Sequence, residues 1–263
     1  MDVAQTARHE DLQIRFQKPA GWEFLENDEW SVIFELAETP PNQYPSTDQE
    51  LPAITLVVRG SFEKSLSDFS KLAIDGIQAS YPNSKQISQR DRELLHFPAA
   101  QTILSLNPSE EKEEMLTSIL CAVNDQIGYM LFYSAKESEF FEKMEAMEEI
   151  VRSLEFEQKN GLDTLIRHQI LAQEYTQSGK WEQAIEELEK GWQLKPDNRQ
   201  IQRKLSYLYA VAGNEAFVKK GDLGKARHLL EWALALNDNQ PEVKKLLNVI
   251  QSIHETSPEK SLL

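Results

Sequence analysis

The sequence predicts an α+β chain in two parts, an antiparallel sheet flanked by helices and then an all-α array. Three observations carry this. Between residues 12 and 134, runs rich in β-branched and large apolar residues alternate with turn residues, the pattern of consecutive hairpins. Helical periodicity interrupts that series after Ser65 and closes it between Phe140 and Leu154. From residue 165 onward, apolar positions recur by threes and fours and the strand pattern is gone.

The elements follow in order. Leu12, Ile14 and Phe16 alternate with polar residues, and Pro19, Ala20 and Gly21 mark a turn. Val32 to Leu36 and Ile54 to Val58 read as strands, joined by the Pro-rich polar stretch ETPPNQYPSTDQE. Ser65-Leu-Ser-Asp68 is a capping box, opening a helix with Leu66, Phe69, Leu72, Ala73 and Ile77 inward. Further strands fall around Ile87 to Glu93, Ala100 to Leu106, Met115 to Val123 and Tyr129 to Ser134. Phe97-Pro98-Ala99, Asn107-Pro-Ser and Asn124 to Gly128 read as turns between them, and the acidic run Glu110–Glu114 as a hairpin tip. Phe140, Met144, Met147, Val151 and Leu154 space a closing helix. This order, with KPAGW near the start, SLSDF opening the first helix and EEIVRSLEF at the end, resembles the PsbP/DcrB superfamily. That resemblance implies a small domain over residues 1–157, an antiparallel sheet with helices against it. Its members act in photosystem assembly and in chaperoning, so the fold alone transmits no single activity.

The second part carries an internal repeat. Within Leu165 to Asn198, the residues Tyr175, Gly179, Trp181, Ala184, Leu188, Leu194 and Pro196 outline a helix, a tight turn and a second helix. A second window, Tyr207 to Gln240, repeats the pattern with Phe217, Gly221, Leu223, Ala226, Leu230, Ala233, Leu234 and Leu236. Both windows resemble the tetratricopeptide repeat (TPR), with Ala184 and Ala226 where helices touch. Gly191 and Trp192 depart from its usual Ala-Leu pair, and Trp192 is expected inward at a core position. Between the windows RQIQRKLS has good helix formers and no breaker, so it adds turns to the third helix. Pro241 opens a last helix with Val243, Leu246, Leu247 and Ile250 on one face, similar to the capping helix of such arrays. The expected domain spans 161–256, with a polar boundary at Glu155 to Asn160 before it and a tail at 257–263 after it.

Composition narrows the function. The chain has 263 residues, 40% hydrophobic and 27% charged. No apolar run has the ~20 residues of a membrane helix, and MDVAQTARHEDLQ has no signal-peptide core, so the expected location is cytoplasmic. Residues 1–160 carry 29 acidic against 14 basic residues, net −15, while residues 161–263 balance 14 against 14. A surface of that sign repels phosphate, which excludes nucleic acid and anionic membranes as natural partners. Cys121 is the single cysteine and sits in a strand-like run, a core thiol. His9, His96, His168, His228 and His254 form no i,i+4 pair and neighbour no cysteine, so no metal signature is present. A glycine-rich phosphate loop and a Gly-x-Ser-x-Gly elbow are both missing. The expectation is a protein that is not an enzyme and carries no cofactor.

The repeat resemblance implies a binding groove along the first helix of each unit. Its lining residues are Ile166, Gln169, Gln173, Thr176 and Gln177 in the first repeat. In the second they are Leu208, Val211, Glu215, Val218 and Lys219, with Lys245 and Val249 from the capping helix. Gln169 and Gln173 stand where carboxylate-gripping arrays carry Lys and Asn, so the lining suits an amphipathic helix or an extended segment. Trp232 falls on the convex side, a natural anchor. The expected function is an adaptor or assembly chaperone for a protein or peptide partner. The alternative is a structural homodimer that self-associates through the array, with the N-terminal domain holding the ligand.

Overall fold

The computed structural model describes residues 5–9, 14–25, 32–38, 52–62, 64–106, 114–157 and 164–256. The chain divides into two units, Met1–Asp163 and Thr164–Leu263. The expected Pro-rich loop but for Glu38, the Asn107-Pro-Ser turn, the acidic hairpin tip but for Glu114 and the tail at 257–263 lie outside the described residues.

The first unit is α+β with wholly antiparallel sheets. Its strands are β1 (Gln5–His9), β2 (Ile14–Lys18), β3 (Trp22–Phe24), β4 (Val32–Glu38), β5 (Ala53–Gly60), β6 (Lys85–Leu94), β7 (Phe97–Leu106), β8 (Met115–Asn124), β9 (Ile127–Lys136) and β10 (Glu155–Phe156). Two helices, α1 (Leu66–Ser80) and α2 (Glu137–Ser153), complete it. Seven strands form one sheet in the order β3-β4-β5-β9-β8-β7-β6, and β1-β2-β10 form another. Strand β10 pairs with β2, so Glu155 and Phe156 lie opposite Arg15 and Ile14.

Side-chain alternation gives the large sheet two apolar faces. On one, Leu104, Leu106, Ile119, Cys121 and Met130 pack with Phe69 of α1. Residues of opposite parity, Tyr129, Leu131 and Tyr133, are buried on the other, where the Tyr133 hydroxyl donates to the carbonyl of Phe140 in α2. Ser65 caps α1, its Oγ accepting from the Asp68 amide at 3.1 Å. Leu72 was expected inward but is 55% exposed, and Ile74 packs on the core instead. A helix turns 100° per residue, and with Phe69, Ala73 and Ile77 facing the sheet, Leu72 faces away. Gly128 has a steric reason: a Cβ there would stand 2.0 Å from the Phe69 ring.

The reading of Phe97-Pro98-Ala99 as a turn is corrected. Those residues begin β7, and the turn is Leu95-His96, both at positive φ (55° and 66°). Asp125-Gln126 makes the same kind of two-residue turn between β8 and β9 (φ 46° and 68°). This conformation matches strand twist, and Asn-Gly favours it. Here Leu95 is held by burial, at 3% exposure.

The second unit holds α3 (Thr164–Gln177), α4 (Trp181–Leu194), α5 (Arg199–Val218), α6 (Leu223–Leu236) and α7 (Pro241–Thr256). Gly179 and Gly221, at φ 68° and 63°, follow α3 and α5, where a left-handed residue ends a helix. Asn198 caps α5, its Oδ1 accepting from Gln200 and Ile201 amides. One core runs through the helices: Ala184, Ile185 and Leu188 of α4, Ile201, Leu205, Leu208 and Ala216 of α5, Ala226, Leu230 and Ala233 of α6, Val243 and Ile250 of α7. Small residues let these helices close, as at Gly213, where a Cβ would meet Leu230 Cγ at 2.8 Å. Ser206 is buried and donates to the Ala233 carbonyl, while Gln240 Nε2 donates to Ser206 Oγ, both at 2.7 Å. That bond set ties α5, the end of α6 and the start of α7.

Candidate functional site

Three helices carry the residues expected to line a groove, and the structure treats them unequally. On α3, Ile166, Gln169, Gln173 and Thr176 are half-buried and Gln177 is exposed. Thr176 spends its hydroxyl on its own helix, donating to the Ala172 carbonyl at 2.7 Å. On α5, Leu208 is only 2% exposed and belongs to the core, which corrects its assignment to the lining. Its helical phase also serves the flank of α5 that meets its neighbours. Val211 and Glu215 are half-buried, while Val218 and Lys219 are exposed. On α7, Lys245 and Val249 are exposed. Lys219 pairs with Glu215 at 3.2 Å and Lys245 with Glu242 at 3.1 Å, both one helical turn apart. Among the described residues, no hydrogen bond or ion pair joins the α3 members of this set to those of α5 or α7.

One residue on this face escaped the sequence reading. Lys204 precedes Leu208, Val211 and Glu215 at helical spacing, so the four share a stripe. Burial lowers its ammonium below the ordinary lysine value. It makes no ion pair among the described residues.

Trp232 sits on α6 and is 43% exposed. Its ring stacks with Tyr209 of α5, centroids 6.2 Å apart and planes at 24°. His228, one turn earlier, stands edge-on at 86°, and Trp232 Nε1 donates to His228 Nε2 at 3.2 Å. That bond needs an unprotonated Nε2. The Tyr209 hydroxyl donates to Glu189 of α4, and burial together with that carboxylate holds its phenol above the usual value. The i,i+4 spacing of His228 and Trp232 was legible; the partners from α4 and α5 were not. Trp192, expected in the core, is half-buried at its margin and donates from Nε1 to the Pro196 carbonyl at 2.9 Å.

The sheet unit holds a polar network that no sequence pattern announced. Arg92 grips Glu148 of α2 through two bonds, 2.9 and 2.7 Å, and also donates to Gln101 Oε1 at 3.1 Å. Gln101, 1% exposed, accepts from Arg90 Nε at 2.7 Å and donates to Ser118 Oγ at 2.7 Å. The Arg92 bonds hold the Glu148 carboxyl below its ordinary value against the opposing effect of burial. Every member is satisfied, and the network reads as a strut between β6 and α2. Burial pushes the Cys121 thiol up to about 12, so it stays protonated.

Among the described residues no helix is long and apolar enough to cross a membrane. No protein-family model matches the chain, and no curated protein does. Among solved structures it is similar to LpqN, involved in cell envelope biogenesis of Mycobacterium tuberculosis, at 16% identity and TM-score 0.44, over 58% of this chain and 90% of that one. It is also similar to cyanobacterial PsbP (CyanoP) of Synechocystis sp. PCC 6803, at 10% identity and TM-score 0.43, over 59% of this chain and 92% of that one. A crystal structure from Bacteroides thetaiotaomicron VPI-5482 matches over 91% of this chain and 80% of its own length, at 10% identity and TM-score 0.36. None of these TM-scores reaches one half, and they assign neither family nor function to this chain.

Proposed function

We propose that this chain is a non-catalytic cytoplasmic adaptor or assembly chaperone whose helical unit, a TPR-type array of two repeats and a capping helix, holds a protein segment. The observation that carries this is the exposure of Val218 and Val249, 67% and 46%, on two helices at positions that helix stacking leaves free. The repeat reading puts both on the concave face, and apolar side chains grouped on one face are a mark of binding. On the same reading Gln169, Gln173 and Lys204 line that face and offer donors and acceptors, a mixture suited to an amphipathic helix or an extended segment. The strand order, the capped α1 and the closing α2 support a PsbP/DcrB-type sheet unit as a second surface. Nucleic acid and membrane are outside this reading.

The test pairs Val218→Asp with Val249→Asp in the full chain. Exposed substitutions shift stability by no more than about 0.5 kcal/mol. The melting temperature is expected to hold while capture of the partner is lost. A variant that loses stability but captures as before sinks the proposal. One observation favours the alternative, self-association through the array: the exposed Trp232 stacked on Tyr209. Sedimentation of Trp232→Ala beside the parent separates the two, since only a homodimer loses mass with that ring.

A further inference from the structure

Among the described residues strand β6 is an edge of the seven-stranded sheet, paired there to β7 alone. It is ten residues long, against three for β3 at the opposite edge. Every residue from Lys85 to Asp91 is exposed. Its hydrogen-bonding phase follows from the register. Leu94 and Phe97 flank the two-residue turn and form a bonded pair, so Arg92–Ala99 and Arg90–Gln101 are the next bonded pairs. Glu93 therefore lies opposite Pro98 at a non-bonded position, the place where a proline lacking its N–H fits. By the same alternation, Gln89, Asp91 and Glu93 turn their N–H and C=O groups out to the edge.

Beside that edge lies a cleft of about 600 Å³. Asp91, Arg92 and Glu93 all line it. Successive strand side chains point to opposite faces, so three in a row line one cleft only if it runs along the strand's edge. Leu95 and the end of α2, at Val151 and Leu154, supply an apolar wall. Arg92 and Arg152 also border it, but Glu148 and Glu145 engage them. Asp91 and Glu93 make no ion pair among the described residues, and both fall on the same side of the strand.

We propose that the β6 edge and its cleft take an extended segment of a partner protein as an added strand, with basic side chains opposite Asp91 and Glu93 and apolar ones between them. The two requirements alternate because strand side chains alternate, so the occupant reads basic, apolar, basic, apolar. A second copy of β6 fits poorly. Antiparallel self-pairing centred on residue 90, 91 or 92 sets Arg90, Asp91 or Arg92 against itself. Centred on residue 89, it crosses the irregularity between Gln86 and Ser88.

The probe is a fluorescein-labelled peptide alternating Lys and Val, titrated against the full chain by anisotropy. Saturable binding is expected, with the amides of Gln89, Asp91 and Glu93 slowed in hydrogen exchange at saturation. Gln89→Pro removes one outward N–H and no β6–β7 bond, and is expected to weaken binding about tenfold or more. Asp91→Asn with Glu93→Gln, which leaves the backbone alone, is expected to do the same. Failure of the peptide to bind by millimolar concentration overturns the proposal. So does equal binding of an alternating Lys and Gly peptide, which would make the attraction charge alone. Unchanged exchange at those three amides overturns it too. A mass that doubles with concentration and reverts in Gln89→Pro gives the edge to a second copy and overturns the partner segment.

Discussion

At Gly128 a buried aromatic ring fills the space a Cβ would need, whereas at Gly213 the branched end of a leucine does. Phe69 arrives from a helix far back in the sequence and is locked between that helix and the sheet. Leu230 belongs to the very next helix and meets that position with its Cγ and Cδ2. The contrast extends to the rest of each unit. In the sheet unit, distant residues meet across two faces, and the buried network of Gln101, Ser118, Arg92 and Glu148 must keep every partner. In the helical unit, each helix packs mainly on its sequence neighbours, with Ala, Gly and Leu at the contacts. We expect the core built from long-range contacts to yield less to an added group than the one built from neighbouring helices.

Three substitutions test that contrast. The largest effect belongs to Gly128→Ala, because three atoms of the Phe69 ring lie within 2.5 Å of the new Cβ. It is expected to destabilise the sheet unit by about 3 kcal/mol, the upper end for overpacking, read as a lower urea midpoint. Glu148→Gln comes next, at about 1–3 kcal/mol near neutral pH, from the loss of charge-assisted bonds to Arg92. The Glu148 carboxyl is depressed in the folded chain, so its contribution is present above the ordinary value near 4.5. It fades as pH falls through the folded value, and the gap between variant and parent should close there. A gap that widens in acid would mean the bond is not what Glu148 supplies. Smallest is Gly213→Ala, where overpacking against Leu230 is offset by roughly 1 kcal/mol of helix propensity, leaving a net loss of about 1 kcal/mol. Equal losses at Gly128 and Gly213 would break the contrast.

Legibility in the sequence followed the same divide. The helices α3 to α7 and the extended start of α5 at Arg199 could be read because their signals are local: periodicity, caps and turn glycines. Strands β7 to β9 were legible as apolar runs. Strands β1 and β3 were missed, since QTARH and WEF have no pattern of their own and exist through pairing with β2 and β4. Leu95-His96 was missed because turn chemistry favours Asn and Gly there, while burial of Leu95 holds this turn. At the candidate site, the repeat resemblance could name Val218, Val249 and Trp232. It could not tell that Leu208 enters the core, that Lys204 is half-buried, or that Glu189 and Tyr209 brace the indole. Those facts depend on which helix lies alongside, and a single helix does not carry that information.

Helix α5 is twenty residues, some 30 Å of continuous rod. Near its start Ile201 and Leu205 enter the shared core and Tyr209 bonds Glu189 of α4, while farther along Gly213 admits Leu230 of α6. A rod clamped at both ends joins what the repeat pattern draws as separable modules. A chain cut after Leu194 would strip the apolar side of α4, and one cut after Val218 would leave half of α5 bare. The unit therefore has no internal seam at which a shorter version could be excised, and it gains or loses its order as one piece.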